Sequence, residues 1–540
     1  ITVPGVADGS STITVRFKPT DTTNYNDAVA KTYTAKVDKT RPTITANGYA
    51  YSNNSGSNTS TTYNDTGNAI KSHSSNSDSS DTYNWNKTGI NFRIGFSDSA
   101  SGIQSATWCW DTKYSDTDPG ATVFDSASNS DCVDDMSKHK QISLTGEGYR
   151  RGRFTVTDKA GNTTIYNVIV KIDKTKPTMT LSVPNGTTLK SSRKATVTLS
   201  DAGGSGLTNS PIKIYYKLST SSVACSDMTQ YITITPTSGS SKATGTITPT
   251  ISNSNGGNYK LYICNKDSAV SDIAGNSLAK NTLKSADAYM ENIKPSIYLT
   301  SSPSGTTYSK TKTITVTLRD VGPNDGISGL TNSEVKIYYA WSTSSVACSS
   351  MTNVIKITPT DGATEATGKI TLSGQTGAGK LYVCNKDSAI SDKAGNSIAK
   401  STVSSINAYL DNKAPSFSIT NISGVVTYKG TKYACPSKTI TFKLKVTDPN
   451  LPSIWYNNLG QYISFSNLPT GSLEGANFAN PRTETGYGTL DGRITNSKTG
   501  NGPIKINIKA GAVKDSLGNS SSAITLNTGI IATTDSTICK

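Results

Sequence analysis

The chain has 540 residues, of which 34% are hydrophobic, against roughly 45–50% by a broader apolar count in ordinary globular proteins. No apolar run approaches the ~20 residues of a membrane helix, so no membrane insertion is expected in this segment, and at ~150 residues per domain the length predicts three or four domains. The 53 Lys and Arg exceed the 38 Asp and Glu by 15, a sign that favours acidic partners such as anionic polymers without naming one.

The chain opens at Ile1 with neither a methionine nor a charged-then-apolar leader, and is expected to be mature or a piece of a longer one. Residues 1–39 are too few for a sandwich domain of ~100 residues. They read either as the cut end of a preceding repeat or as strands completed by a neighbouring subunit, since open sheet edges are where such polymers join.

Residues 40–174 form a first predicted domain. Ser52 to Thr82 is rich in Ser, Asn and Thr without apolar periodicity and is expected to be a long polar loop. His73, inside it, and His139 are the two histidines of the chain and are expected in exposed loops, which removes most chemistry that needs an imidazole base. Trp108 and Trp110 flank Cys109, and one of the two is expected to face the core. Asp131, Asp134 and Asp135 surround Cys132 and suggest a stapled surface loop. Arg150, Arg151 and Arg153 are the one tight basic group. They read as a solvated turn and strand edge, and no specific nucleic-acid partner is expected.

Residues 175–293 and 294–413 are copies of one another. Ser205 to Gln230 recurs nearly unchanged from Ser328 to Asn353, and Lys260 to Asn276 recurs from Lys380 to Asn396, a repeat of about 120 residues. Ala195, Val197 and Leu199 alternate with polar residues, as do Ile314, Val316 and Leu318. That alternation means strands with one buried face, and short strands between Gly, Asn, Asp and Ser clusters predict an all-β chain of tandem sandwiches. Residues 414–540 form a fourth, divergent unit. Proline hinges separate the units at Asp38-Lys-Thr-Arg-Pro42, Asp173-Lys-Thr-Lys-Pro177, Asn292-Ile-Lys-Pro295 and Asn412-Lys-Ala-Pro415. Proline fixes φ and extends the preceding residue, so each hinge is a semi-rigid entry into a first edge strand.

An Asp-x-x-Gly-Asn turn recurs at Asp158 to Asn162, Asp272 to Asn276, Asp392 to Asn396 and Asp515 to Asn519. An earlier aspartate precedes a Ser-Gly at Asp98, Asp201 and Asp320, whereas Asp448 is followed by proline. With the hinges, these motifs resemble the bacterial immunoglobulin-like (Big-type) repeats of cell-surface proteins. The resemblance implies immunoglobulin-like β-sandwiches in an elongated array, outside the cell or on its surface. Phe17 to Asn26 resembles the last strands of another repeat type found in such proteins.

The eight cysteines fall two to a domain, which predicts disulfides Cys109–Cys132, Cys225–Cys264, Cys348–Cys384 and Cys435–Cys539 and an oxidising compartment. Zinc is excluded because no Cys-x-x-Cys and no nearby histidine accompanies them. Tyr262 and Tyr382 stand two residues before Cys264 and Cys384, as in the tyrosine corner of immunoglobulin domains. Cys225 and Cys348 follow the Lys-Ile-Tyr-Tyr strand, which predicts a loop-to-strand tie rather than a bond between the sheets.

Loops of one pole would bring Asp98 to Asp158, with Asp38 of the hinge, Asp201 to Asp272, and Asp320 to Asp392. Two or three carboxylates with loop carbonyls are the hard oxygen set that calcium takes. The same aspartates also suit turns, because their side chains bond their own backbone. No nucleophile with its base and no phosphate loop is present, Gly203 to Gly206 leading into another strand rather than opening a helix. The expected function is a non-catalytic surface stalk or adhesin that contacts surface proteins or glycans. The alternatives are a subunit of a fibre or surface layer, and the repeat region of a large secreted enzyme.

Overall fold

The computed structural model describes residues 7–24, 26–50, 71–111, 130–134, 139–252, 255–322, 326–436, 438–448, 461–467, 487–495 and 501–540. Among these the chain is β throughout, with 3-10 turns at Cys225–Asp227 and Cys348–Ser350. Two compact units divide it, one of residues 1–188, 192–250 and 258–289 and one of residues 189–191, 251–257 and 290–540.

The first unit opens on a hairpin, Gly9–Val15 against Lys31–Val37, in a seven-pair antiparallel register. Its Phe17, Val29 and Tyr33 are exposed, and no third strand joins it among the described residues. A sandwich follows. One sheet runs Lys71–Ser75, Thr43–Ala50, Ile90–Ser97, His139–Leu144; the other runs Ser79–Asn86, Thr163–Ile172, Gly148–Asp158, Ile103–Asp111, Ser130–Asp134. Ile44, Ile94, Phe154, Tyr166 and Val168 fill the space between them. Trp108 and Trp110 are both buried, at 3% and 5% exposure. Two residues apart on one strand, they share a face, so both enter the core. The Trp110 ring lies where a side chain at position 152 would stand, 2.7 Å from an ideal Cβ, and Gly152 is there for that reason.

Residues 71–82 are not a loop. Lys71–Ser75 and Ser79–Asn86 are strands, and residues 51–70 lie outside the described ones. Lys71, His73 and Ser75 alternate with exposed neighbours, so a polar set supplies the inward side and the hydrophobic period is silent. His139 likewise begins a strand. Arg150, Arg151 and Arg153 lie on Gly148–Asp158, an interior strand paired on both sides, rather than on an edge. Arg151 sits 3.1 Å from the Asp111 carboxylate and Arg153 donates to Asn167 Oδ1 at 2.9 Å. Asp131 and Asp134 stand on Ser130–Asp134, and Asp135 lies outside the described residues.

The second sandwich packs Thr178–Ser182, Ala195–Ser200 and Lys242–Ile247 against a sheet of Gln230–Ile234, Ile212–Ser219, Lys260–Cys264 and Leu283–Asp287. Its core holds Val197, Leu199, Ile214, Leu261 and Ile263. In the second unit the third sandwich repeats this plan with Ser296–Ser302, Thr311–Arg319, Glu365–Ser373 facing Asn353–Ile357, Val335–Ser342, Gly377–Cys384, Val403–Leu410. The fourth sandwich has a sheet of Ser416–Ser423, Thr439–Thr447 and Tyr487–Thr495. Its other sheet runs Val426–Tyr428, Thr431–Ala434, Ile524–Ala532, Gly502–Ile508 and Ile463–Ser466. There Thr431–Ala434 runs parallel to the last strand.

Cys225–Cys264, Cys348–Cys384 and Cys435–Cys539 are disulfides with Cα atoms 5.8, 5.7 and 5.5 Å apart. Cys109 is disulfide-bonded and stands opposite Cys132 in the strand register. Cys225 and Cys348 lie in the 3-10 turns, so each tie runs from a loop to the end of a strand.

Candidate metal sites at the sandwich poles

Each Asp-x-x-Gly-Asn turn is built around its aspartate. Asp158 Oδ1 accepts from the amides of Ala160 and Asn162 at 2.9 and 2.8 Å, and Oδ2 accepts from Asn162 Nδ2 at 2.7 Å. Gly161 sits at φ +93°, a conformation that costs a side-chain-bearing residue and not glycine. The asparagine also reaches out of the turn. Asn162 Nδ2 donates to the carbonyl of Asp38 at 3.0 Å, and Asn276, Asn396 and Asn519 do the same to Asp173, Glu291 and Asp411 at 2.8, 3.1 and 3.2 Å. Each turn therefore grips the hinge that leads into its own sandwich.

The earlier aspartate comes from the loop after the strand that pairs with the first strand of the sandwich. Asp201 Oδ2 accepts from Gly206 N and Asp320 Oδ2 from Gly329 N, both at 2.8 Å, and Asp98 Oδ1 from Gly102 N at 2.6 Å. The hinge acid is the third member. Asp173 holds the amides of Thr175 and Ser205, and Glu291 Oε2 that of Ser328.

These elements bring together four sets of three carboxylates: Asp38, Asp98, Asp158; Asp173, Asp201, Asp272; Glu291, Asp320, Asp392; and Asp411, Asp448, Asp515. In each set one oxygen per residue lies within 4.8 Å of the others. The last three sets are buried, whereas Asp38 and Asp98 of the first are half-buried. Asp98 with Asp158, Asp201 with Asp272, and Asp320 with Asp392 thus meet. Sequence reasoning did not assign Asp173, Glu291 or the fourth set to a site. The signal was available: an acid stands four residues before every hinge proline, at Asp38, Asp173, Glu291 and Asp411. Aligning the hinges on Asn292 and Asn412 hid it.

Turn geometry accounts for part of each set and leaves a remainder. Asp201 Oδ1, Asp320 Oδ1 and Glu291 Oε1 are buried without a hydrogen-bond partner, in residues exposed by 3%, 0% and 0%. A buried polar oxygen is seldom left unsatisfied. Burial, helped by the neighbouring carboxylates Asp392 and Asp320, pushes Asp320 up to about 6 and Glu291 up to about 7. Burial raises Asp201, Asp272 and Asp392 in the same direction. No Lys or Arg pairs with the carboxylates of the first three sets among the described residues. Converging like charges that lack a counter-ion are what a cation would compensate, and all-oxygen donors suit calcium or magnesium rather than zinc.

A histidine-centred group lies apart from these poles. His73 stacks on Tyr166 with centroids 3.9 Å apart, its Nδ1 lies 3.2 Å from Asp81, and its Nε2 lies 3.2 Å from Ser79 Oγ. The spacing is that of a hydrolase relay. Asp81, however, is already engaged by Lys71 at 2.6 Å and by the Tyr166 hydroxyl at 3.0 Å, and the group latches two neighbouring edge strands together.

No family model and no curated protein matches the chain. Among solved structures it is similar to a tetra-tandem repeat in the extending region of a large adhesion protein, at 15% identity over 82% of this chain and 94% of that one, with a TM-score of 0.26. A 1.5-MDa bacterial ice-binding adhesin gives 11% identity over 61% and 92%, TM-score 0.25. The four-domain ectodomain fragment of ICAM-5 gives 11% over 83% and 97%, TM-score 0.26. Likenesses at such scores carry no argument about partners or activity.

Proposed function

We propose that this chain is a non-catalytic arm of an extracellular or cell-surface adhesive protein, in which calcium at each hinge stiffens successive sandwiches into a rod. The repeated hinge acid carries the reading. A cation held by one carboxylate from the linker and two from the following sandwich removes the freedom of the joint, which is what an arm needs in order to hold a contact at a distance. Extracellular calcium modules work at ~10⁻⁴–10⁻³ M with oxygen sets of this type, and the disulfides suit the same compartment.

Calorimetric titration of the intact chain with calcium, followed by small-angle scattering with and without chelator, tests this. Uptake at the four sets and a stiff, extended particle that becomes flexible on chelation are expected. No uptake, with scattering indifferent to chelator, overturns the reading and leaves the aspartates as turn formers. Assembly into a fibre or surface layer is the second reading, favoured by the N-terminal hairpin with its open edges and exposed Phe17, Val29 and Tyr33. Discrete higher assemblies in a mass measurement would support it.

A further inference from the structure

The outer face of the second sandwich carries lysines that are held in place rather than loose. Lys213, Tyr215 and Lys217 alternate outward on Ile212–Ser219, and Tyr215 stands opposite Tyr231 on the next strand, with ring centroids 5.2 Å apart. The Lys213 ammonium lies over the Tyr231 ring at 4.7 Å and that of Lys266 over Tyr215 at 4.8 Å. Lys266 also donates to the Met228 carbonyl at 3.2 Å, so the loop that Cys225–Cys264 pins down is the loop that holds this lysine. The Tyr215 hydroxyl is fixed by Asp267 at 2.7 Å. Beside the face lies a groove of about 440 Å³ lined by Tyr216, Lys217, Leu218, Asp227, Thr229, Gln230, Pro249 and Thr250.

We propose that this face binds an acidic polysaccharide, its carboxylate or sulfate groups meeting Lys213, Lys217 and Lys266 and a sugar ring entering the groove. The inference rests on the adhesive reading and deepens it. Ammonium groups propped on aromatic rings lose less freedom on binding than free lysines do. The covered ring faces disfavour base stacking, which sets this surface apart from a single-strand nucleic-acid platform. Hydroxyl, amide and carboxylate groups lining a small groove match the donors and acceptors of a sugar.

The third sandwich keeps part of this face. Lys386 lies over Tyr338 at 5.3 Å and donates to the Ser349 carbonyl, and the Tyr338 hydroxyl is fixed by Asp387. At matched positions, however, Ala340 replaces Lys217, Val354 replaces Tyr231 and Ser350 replaces Asp227. The copy keeps one propped lysine but lacks the counterpart of Lys217 and the ring that props Lys213, so it should bind the same ligand more weakly.

The test uses the full chain with calcium present and a heparin decasaccharide as probe, with affinity read by calorimetry at roughly 50 to 300 mM salt. The triple variant K213A/K217A/K266A should weaken binding by about tenfold or more, equivalent to ~1.4 kcal/mol or more. K336A/K386A should cost less. K432A/K438A/K509A, a charge-matched change on the fourth sandwich, should leave affinity nearly unchanged. The exposed pair K213Q/K217Q serves if the triple variant melts early. An equal loss from the fourth-sandwich variant, or no binding of the decasaccharide, overturns the assignment. A polyglutamate peptide of matched charge that binds as tightly would make the partner an acidic protein and overturn the polysaccharide. Because the scattering test with chelator is independent of the sugar, failure of this site and failure of the rod reading are separate results.

Discussion

Pulling the chain by its ends should extend the four sandwiches unequally, and the fourth least for its size. Cys435 and Cys539 are bonded across a sequence separation of 104, so tension entering at Pro415 can release only the stretch before Cys435, about 20 residues or ~70 Å at ~3.5 Å per residue. The enclosed segment withholds ~360 Å by the same measure. In the second and third sandwiches the bonds enclose separations of 39 and 36, leaving roughly 80 residues or ~280 Å each to unravel. The first sheet strands of the fourth sandwich peel first, because Thr431–Ala434 is paired in parallel with Ile524–Ala532 beside the bond and resists by shear. Loop entropy gives the same ranking of stability, ~4.7 kcal/mol for the large loop against ~3.8 for the smaller ones. Single-molecule pulling on oxidised wild type and on C435S/C539S is the assay. The variant should gain a step of ~430 Å in place of the short one. A step of that length from the oxidised chain, assigned to the fourth sandwich by its loss on deleting that sandwich, would refute the pairing and the clamp together.

Acidification should stabilise the metal-free third sandwich. Glu291 rises to about 7 and Asp320 to about 6 in the folded chain, so the folded state holds protons that the unfolded state releases between about pH 4.5 and 7, and stability falls as pH rises through that window. Melting in chelator at several pH values checks this; a metal-free melting temperature that climbs from about pH 5 to 8 would contradict it. E291Q should raise the metal-free melting temperature while removing one calcium from the titration, a pair of effects that simple loss of a turn contact cannot give. Gly206→Ala should destabilise the second sandwich by about 1–3 kcal/mol, since the position has φ +76° and an added Cβ would stand 2.3 Å from the Gly239 backbone. A neutral result in denaturant melts would show that this loop relaxes. Asn276→Ala should lose about 1–2 kcal/mol and loosen the hinge at Asp173, read as faster amide exchange there; unchanged exchange would remove the asparagine from the joint.

The sandwiches were legible because their strands are written in apolar alternation. Ala195, Val197 and Leu199, and their copies Ile314, Val316 and Leu318, all face the core. The reading failed where inward positions are polar. Lys71 and His73 face Asp81 and Tyr166 through ion pairs and a stack, which no hydrophobic period can register. It also failed at Arg150 to Arg153, where Gly152 interrupts the alternation because the Trp110 ring occupies the place of its side chain. At the poles, two carboxylates of each of the first three sets were recognisable from their turns. The hinge acid was named in the first set, as Asp38, and hidden in the other sets because its marker is a distance to proline rather than a neighbouring motif. Asp448 is followed by proline where the other early aspartates precede Ser-Gly, yet its carboxylate joins Asp411 and Asp515.

The asparagine that ends each turn gives these joints a chemical lifetime. Asn276 donates its two amide hydrogens to Asp272 Oδ2 and to the Asp173 carbonyl, both at 2.8 Å, and Asn396 and Asn519 make the same pair of bonds. Deamidation would turn that donor into a carboxylate facing two acceptors, so the bond to the hinge would become a repulsion and a fourth negative charge would enter the set. Asparagine is among the residues that heat damages first, and in each of these three turns it is followed by serine. Asn276 and Asn396 are exposed by only 8% and 6%, which protects them while the joint is closed. An ageing copy of this chain would therefore come apart at its hinges, with its sandwiches still intact, and those hinges that open most often would fail first.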